Sequence, residues 1–504
     1  MSRGIRSRYD DVVVGAGTAG LTAALLLARF GRSVLLVDGA PAPGGGLRRF
    51  RRGGAAFDTG FHFSGSVRPG ELLDRLLTQL GIREAVTLLP YESSCTHRFL
   101  FHNEHTAVDV PAGLDQACAC WQARFPAETA SIIWYFEALR SITDRTTGMQ
   151  ADGTLKPFGL LDEDFVSLRE VLDHRFRDPV LKGAISAFSM CHGSPPGRIS
   201  FAAHARVAYG LHQSVGTLAG GGDALAAAMV EGARREGVDI QCGCRLETFD
   251  EVIEGQPRRA VFADGRRILF DRCVLTIDPA QILDLLAPVN PSPAFRDRVQ
   301  AFEPSIGFFV AYGVLDGGAP LPDFGSCIHS DFPETDFDAM MDPSYPGARP
   351  LVVIEVPGAG GLLPSISALE LSFPQDVAAW SGTRSRQRTA DYYTYKRRRA
   401  EAIRVRLAAL LPYADRVRWV ETASMLTFRD YLHSFGGSAY GIMQQVGQYG
   451  LFGRLPGRNL YAAGQSALLP GVLGSMMSGL LVARLMVGRE LFDSRLPSTE
   501  MRHV

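Results

Sequence analysis

Residues 11–38 read DVVVGAGTAGLTAALLLARFGRSVLLVD, and this stretch decides the class of fold. The apolar runs at residues 11–14 and 33–37 are typical of buried parallel strands. Between them, the Ala- and Leu-rich run at residues 21–30 predicts a helix, and Gly31 gives its stop signal. The stretch therefore predicts one complete strand–helix–strand unit.

Three glycines stand between the first strand and the helix, where side chains would obstruct a bound dinucleotide. Gly15 allows a tight turn, Gly17 lets a pyrophosphate approach the backbone, and Gly20 lets the helix pack on the strand. The pyrophosphate would then face the free N–H groups at the helix N-terminus. Asp38 ends the second strand at the spacing of an acid that binds ribose hydroxyls, with a surface acid as the alternative. Together these features predict a dinucleotide site, whereas the glycines alone predict only a turn.

Composition restricts the remaining classes of function. The chain has 504 residues, of which 46% are apolar and 21% charged, as in an ordinary globular enzyme. A net charge of -1 excludes the basic footprint of a nucleic-acid-binding protein, so no nucleic acid partner is expected. The eight cysteines form no Cys-x-x-Cys pair, which predicts reduced thiols and no metal site. No apolar run approaches the ~18 residues of a membrane span, so we expect a cytoplasmic protein and leave a peripheral membrane contact open.

Sequence patterns typical of a nucleotide-binding domain recur in the middle and at the end of the chain. Asp223 is the predicted N-cap of a helix over residues 224–235, and Asp264-Gly265 predicts a β-hairpin. Residues 475–492 predict a closing helix. We therefore predict one discontinuous domain with a second domain inserted in two pieces. The predicted boundaries are 8–85, 216–288 and 440–492 for the nucleotide-binding domain, and 86–215 and 289–439 for the inserted substrate domain.

Two further blocks extend the pattern beyond Asp38, namely Gly44-Gly-Gly-Leu-Arg-Arg-Phe50 and Phe57-Asp-Thr-Gly-Phe-His-Phe-Ser-Gly65. With residues 218–225 and 459–479, they resemble the flavoprotein family of phytoene desaturases, carotenoid isomerases and retinol saturases. The resemblance implies an α/β fold with a discontinuous, Rossmann-like FAD-binding domain and an inserted mixed α+β substrate domain. It also implies FAD as the cofactor.

The resemblance carries individual roles to positions of this chain. Leu246 would meet the adenine through its backbone, with a plain core leucine as the alternative. His62 either acts near the reacting end of the flavin or is satisfied inside its own loop. From their place just before the closing motif, and not from the resemblance, Tyr440 and Gln444 either face the substrate cavity or only pack. The predicted FAD contacts outside the first fingerprint are Gly44, Gly45, Leu246, Gly464, Gln465, Gly471 and Gly474.

The implied reaction is hydride exchange between a carbon–carbon bond and the flavin, hence desaturation, saturation or isomerisation. The implied substrate is an apolar polyene or isoprenoid. Two alternatives stay open: a flavin oxidase of another apolar or amine metabolite, and a flavin-free prenyl-binding protein of related fold, such as the Rab escort and dissociation-inhibitor proteins. Because only one full dinucleotide fingerprint is present, electrons are expected to pass through a quinone, oxygen or another reductant rather than a nicotinamide domain.

Overall fold

The structure is a computed structural model that describes residues 5–92, 94–149, 155, 159–316, 324–448 and 450–495. Strands and α-helices are numbered in chain order. The strands are β1 Arg8–Val14, β2 Val34–Asp38, β3 Arg49–Arg52, β4 Ala55–Asp58, β5 Ser64–Gly65, β6 Leu88–Pro90, β7 His97–Phe101, β8 Thr106–Val110, β9 Val215–Leu218, β10 Asp239–Cys242, β11 Leu246–Ile253, β12 Gln256–Phe262, β13 Arg267–Leu275, β14 Gly307–Leu315, β15 Ile328–Phe332, β16 Leu351–Val356, β17 Ser365–Ser372, β18 Val417–Ala423, β19 Gly453–Arg454 and β20 Leu460–Ala462. The α-helices are α1 Thr18–Arg29, α2 Leu72–Gln79, α3 Leu114–Arg124, α4 Thr129–Arg145, α5 Leu168–Arg175, α6 Pro179–Ser186, α7 Ser189–His192, α8 Phe201–Gln213, α9 Gly221–Arg235, α10 Pro279–Leu285, α11 Pro293–Gln300, α12 Phe337–Met340, α13 Ala390–Leu410, α14 Met425–Leu432, α15 Gly471–Val487 and α16 Arg489–Arg495.

The first large sheet contains the strand–helix–strand unit predicted from residues 11–38. Its strands lie in the order β10-β2-β1-β13-β12-β11, with β20 beside β13 and β19 beside β20. Strands β10, β2, β1, β13 and β20 run parallel, so their carboxyl ends lie at one edge. In open α/β sheets, ligands bind at that edge. The predicted α/β fold with a Rossmann-like domain is confirmed.

The second large sheet has the order β18-β14-β17-β16-β15-β7-β8. Its strands pair antiparallel except β15 and β7, which run parallel. The largest apolar core packs the inner face of this sheet against helices α3 to α8. Strands of the first sheet lie at residues 8–38, 239–275 and 453–462, and strands of the second at residues 97–110 and 307–423. The chain thus leaves the first sheet and returns to it twice, while the domain boundaries given above stay a prediction.

Two local predictions are corrected by the structure, and one is confirmed. The hairpin at Asp264-Gly265 joins antiparallel β12 and β13 as predicted. Helix α9 begins at Gly221 with Gly220 as its N-cap, so the N-cap role predicted for Asp223 is wrong. Gly220 takes a φ of +82°, which lets the chain enter the helix before Asp223. The Asp223 carboxylate instead accepts a hydrogen bond of 2.9 Å from the Arg49 N–H.

The predicted single closing helix is two helices. Helix α15 already begins at Gly471, and a φ of +100° at Gly488 separates it from α16. A Cβ atom on Gly479 would lie 2.4 Å from the Ala19 carbonyl oxygen, which shows how closely α15 packs on α1. Within the described residues, no single helix is long and apolar enough to cross a membrane, although the pair α15 and α16, bent by 119°, meets the criteria of length and composition together.

Candidate FAD and substrate site

One cavity of about 540 Å³ lies between the two large sheets. We call two groups of its lining residues the nucleotide wall and the substrate wall, and further residues, including several between 428 and 441, complete the lining. The nucleotide wall includes Gly15, Gly17, Thr18, Asp38, Gly45, Arg48, Arg245, Leu246, Glu247, Thr276, Asp278, Gln281, Asp284, Gly464, Gln465, Gly471 and Val472. The substrate wall comprises Phe63, His97, Phe99, Ala187, Phe188, Met190, Cys191, Phe308, Val310, Ile328, Ser330, Val352, Ile354, Leu369 and Tyr440. His62 lines the same cavity.

The first glycine turn presents backbone rather than side chains to the nucleotide wall. Gly15 takes a φ of +102°, and a Cβ atom there would lie 2.4 Å from the Thr276 hydroxyl. A Cβ atom on Gly20 would lie 1.8 Å from the Gly15 carbonyl oxygen, so Gly20 supports the turn from behind and is not a lining residue. A Cβ atom on Gly17 would meet no atom within 4 Å and would enter the cavity. The open space beside Gly17, at the start of α1, therefore admits a ligand.

Asp38 stands at the carboxyl end of β2 and lines the cavity. Its two carboxylate oxygens accept hydrogen bonds from the Ala16 N–H at 2.6 Å and the Ala40 N–H at 2.7 Å. A carboxylate has about four acceptor positions, so it keeps capacity for ribose hydroxyls while it holds the turn. Leu246 begins β11 and lines the same wall, although it is 5% exposed and also packs in the core. Both placements agree with the predicted adenosine end of the site.

The second glycine block touches the first. A Cβ atom on Gly45 would lie 3.2 Å from the Gly17 Cα, so a side chain there would crowd the first turn. Gly44 lies behind the wall, with a φ of +116°, and donates its N–H to the Ala16 carbonyl at 2.7 Å. Arg48 is a lining residue whose guanidinium donates to the Gly45 and Tyr431 carbonyls at 3.2 Å and pairs with no carboxylate among the described residues. Arg49, in contrast, pairs with the buried Asp58 at 3.3 Å.

The closing segment brings a second helix N-terminus to the cavity. Gly464, Gln465 and Gly471 line the nucleotide wall, and the Gly464 N–H donates to the Ser478 hydroxyl at 2.9 Å. Helix α15 begins at Gly471 without a side-chain cap, so its first N–H groups are free to meet a ligand. A Cβ atom on Gly474 would lie 2.4 Å from the Leu469 carbonyl oxygen, so this glycine shapes the turn and is not a lining residue. Two helix N-termini thus face one cavity.

The comparison with family models matches residues 18–355 to the flavin containing amine oxidoreductase family. The chain belongs to this family. It is 22% identical over 532 residues to the all-trans-retinol 13,14-reductase of Macaca fascicularis, covering 97% of this chain and 87% of the relative. It is 27% identical over 363 residues to the hydroxyneurosporene desaturase of Rhodobacter capsulatus, covering 66% and 69%. An oxidoreductase structure from Methanosarcina mazei shares the fold, with a TM-score of 0.66 at 15% identity over 94% of this chain and 99% of that one.

The cofactor of this flavin oxidoreductase is FAD, and the nucleotide wall fits it. The cleared space at Gly17, the uncapped start of α15 and the Arg48 guanidinium suit a pyrophosphate, and Asp38 suits a ribose. Every Asp, Glu, Lys and Arg among the described lining residues belongs to the nucleotide wall. The roles of the individual residues toward FAD stay predictions, because the comparisons establish the cofactor and not its contacts.

His62 follows β4 and is half-buried in the cavity lining. Burial, and secondarily the Arg49 guanidinium, lower its pKa to about 4. Its imidazole is therefore neutral near pH 7, when one ring nitrogen can donate a hydrogen bond and the other can accept one. His62 therefore lines the cavity, and its role near the reacting end of the flavin stays a prediction.

The substrate wall contains residues that sequence reasoning missed. Of the two alternatives given above for Tyr440 and Gln444, cavity lining holds for Tyr440. Gln444 is not among the described lining residues. The Tyr440 hydroxyl donates to the Met190 carbonyl at 2.7 Å. His97, Phe99 and Ile328 belong to β7 and β15 and lie far from any glycine block in sequence. No local pattern marks such residues, because only the pairing of the strands brings them to one wall.

Proposed function

We propose that this flavin oxidoreductase acts on a carbon–carbon bond of an apolar polyene or isoprenoid. The observation that carries the proposal is the composition of the substrate wall. Twelve of its fifteen residues are phenylalanine, tyrosine, aliphatic or methionine side chains, and none is Asp, Glu, Lys or Arg. Such a wall binds a long apolar molecule through burial of its surface. Both named relatives act, by their names, on polyenes of this kind, namely a retinol and a hydroxyneurosporene.

The same wall disfavours an amine substrate. An ammonium group placed there would lose its hydration without gaining a carboxylate partner among the described residues. Family membership and the fit of the nucleotide wall also disfavour the flavin-free prenyl-binding protein. Bound FAD would supply hydride exchange with the carbon–carbon bond. The chain itself would bind the polyene, orient the reacting bond and exclude water, so that desaturation, saturation and isomerisation all remain open.

Anaerobic mixing of the FAD-loaded protein with polyenes tests the proposal. We expect bleaching of the flavin absorbance by a saturated substrate, reoxidation of prereduced flavin by a polyene, or conversion of a polyene isomer without net flavin change. An oxidase of amines would instead bleach with an amine and respond to no polyene. A colourless protein that takes up no added FAD would exclude the flavoenzyme function altogether. Adding a quinone, oxygen or a low-potential reductant then identifies the electron partner, which is also a proposal.

A further inference from the structure

Besides the Tyr440 hydroxyl and the Cys191 thiol, the imidazole of His97 and the hydroxyl of Ser330 interrupt the apolar surface of the substrate wall. His97 is 2% exposed and Ser330 is 6% exposed, yet both line the cavity. Burial of an imidazole or a hydroxyl costs free energy unless a hydrogen bond compensates it. These two residues therefore need either partners in the protein or a partner that enters the cavity.

Strand pairing places both residues on the same patch of wall. In the parallel pair β7 and β15, His97 lies opposite Ile328 and Phe99 lies opposite Ser330. Side chains at alternate positions share one face of a strand, and all four of these residues line the cavity. His97 and Ser330 thus form a diagonal across two neighbouring strands, on the face of the sheet that lines the cavity.

The described part of the protein offers the His97 and Ser330 side chains no hydrogen-bond partner. The His97 imidazole is surrounded by the rings of Phe63, Phe99 and Phe188, with centroids 6.0, 5.7 and 5.6 Å away. Neither ring nitrogen has a hydrogen-bond partner among the described residues, and because Nε2 is fully buried, Nδ1 is the nitrogen left for a ligand. The Ser330 hydroxyl likewise makes no hydrogen bond within the part of the chain that the structure describes. The Tyr440 hydroxyl in the same wall is different, because it donates to a backbone carbonyl.

We propose that His97 and Ser330 hydrogen-bond an oxygen atom of the substrate, which is therefore a polyene or isoprenoid that carries a neutral hydroxyl or carbonyl group rather than a pure hydrocarbon. This inference rests on the proposed function and names its substrate class more narrowly. A polar diagonal in an apolar wall also fixes the position of the ligand along the cavity, and so selects which bond reaches the flavin.

Electrostatics favour a neutral oxygen over a carboxylate. Burial lowers the pKa of His97 to about 3, so its imidazole is uncharged near neutral pH. The Arg48 and Arg245 side chains belong to the nucleotide wall. A carboxylate at the diagonal would thus be desolvated without a cationic partner in the substrate wall. An alcohol or carbonyl oxygen needs only the hydrogen bonds that a neutral imidazole and a hydroxyl offer.

Binding of two matched ligands tests the inference. The probes are all-trans-retinol and the hydrocarbon in which a hydrogen atom replaces its hydroxyl group. Each is equilibrated with the FAD-loaded protein, and bound polyene is extracted and quantified after gel filtration. We expect wild type to bind the alcohol about tenfold more tightly than the hydrocarbon, the size of one to two buried neutral hydrogen bonds. His97→Leu and Ser330→Ala should each reduce this ratio, and the double variant should bring it close to one.

Conservative and control variants separate recognition from a general change of the wall. His97→Gln and Ser330→Thr retain polar groups and should keep more of the preference than the apolar substitutions. Ile328→Val alters the same wall without a polar group and should leave the ratio of the two affinities unchanged. Binding of both ligands with equal affinity by wild type, or a ratio that survives the double variant, overturns the inference and leaves the proposed function intact. Binding of neither ligand contradicts the proposed function and the inference with it.

Discussion

The two walls of the cavity are built in opposite ways. The nucleotide wall combines glycine turns and helix starts with every Asp, Glu, Lys and Arg of the described lining residues. The substrate wall consists of side chains from the second sheet and the helices before it, and these are mostly apolar. A cofactor shared by many enzymes can be bound by backbone groups of a turn. Such a turn requires glycine at fixed positions in the sequence. A substrate is selected by side chains, which a fold leaves free to vary.

The largest effects are expected from two glycine substitutions in the first turn. Gly20 allows close packing of backbone, whereas Gly17 leaves space for a ligand. Gly20→Ala places a Cβ atom 1.8 Å from a backbone oxygen, so the turn or α1 must move. We expect a loss of several kcal/mol in the free energy of unfolding, as for an overpacked core site, and no retained flavin. Gly17→Ala places its Cβ atom in open space and should fold normally but lose flavin. Thermal unfolding and the flavin absorbance of purified protein measure both effects.

Gly382→Ala is the matched control, because an added Cβ atom there meets nothing within 4 Å and the position lies outside the cavity lining. It should change the free energy of unfolding by no more than a few tenths of a kcal/mol and leave the flavin content unchanged. Full flavin retention by Gly17→Ala would contradict the contact predicted between this turn and the pyrophosphate. FAD would then lie in a different pose against the nucleotide wall.

A smaller effect is expected at Asp38. Asp38→Ala removes the acceptor for two backbone N–H groups as well as the predicted ribose contact. We expect the dissociation constant for FAD to rise about tenfold to hundredfold, which corresponds to about 1–3 kcal/mol. Asp38→Asn keeps one side-chain oxygen, so its dissociation constant for FAD should lie between those of wild type and Asp38→Ala. Equilibrium titration of apoprotein with FAD measures the constants, and an unchanged value for Asp38→Ala would refute the ribose role.

The nucleotide wall could be predicted from sequence because its determinants are local. Gly15, Gly17 and Asp38 lie within one strand–helix–strand unit, and the strands and helix of that unit form as predicted. The resemblance implies further FAD contacts, of which four also line the cavity, namely Gly45, Leu246, Gly464 and Gly471. Gly20, Gly44 and Gly474 lie outside the cavity lining, and the close contacts that an added Cβ atom would make give a packing reason for glycine at each position.

The substrate wall could not be predicted because nothing in one segment of sequence marks it. Val310, Val352 and Leu369 are ordinary strand residues, and each reaches the cavity only through the order of strands in the second sheet. Helix starts were also missed by a few residues. Asp223 carries a strong N-cap signal, but the left-handed φ of Gly220 starts α9 earlier. Long-range pairing and backbone conformation decided these cases, and local propensity did not.

A third prediction concerns the pH dependence of stability behind the substrate wall. His97, His192, His204 and His212 are buried, and burial lowers the pKa of each, to about 3 for His97 and His204. The unfolded state takes up protons below its ordinary histidine pKa, while the folded state does not. Stability is therefore complete above about pH 6.5 and falls as the pH drops below that value.

His212→Phe should remove one histidine's share of this pH dependence. The ring of His212 lies among Trp121, Tyr135, Phe136 and Phe188, so a phenyl ring suits the site. Between about pH 7.5 and pH 5.5, wild type should lose about 1.4 kcal/mol more than the variant. Denaturant unfolding at both pH values measures the difference. His174→Gln, at an exposed histidine, is the control and should retain the wild-type slope; the same slope in His212→Phe would show that His212 is not kept neutral by burial.

The smallest effect is expected at Tyr440, and it tests whether the two walls are independent. Tyr440→Phe removes the hydroxyl that donates to the Met190 carbonyl and keeps the ring that meets Phe308. We expect a loss of about 1 kcal/mol in the free energy of unfolding, because a buried acceptor loses its donor. FAD affinity should not change, since the hydroxyl is engaged within the substrate wall. A weaker FAD affinity in this variant would show that the walls are coupled through residues 440–466, where the Ser466 hydroxyl accepts the Ile442 N–H at 3.3 Å. Cofactor and substrate would then be recognised by one connected structure rather than by two separable ones.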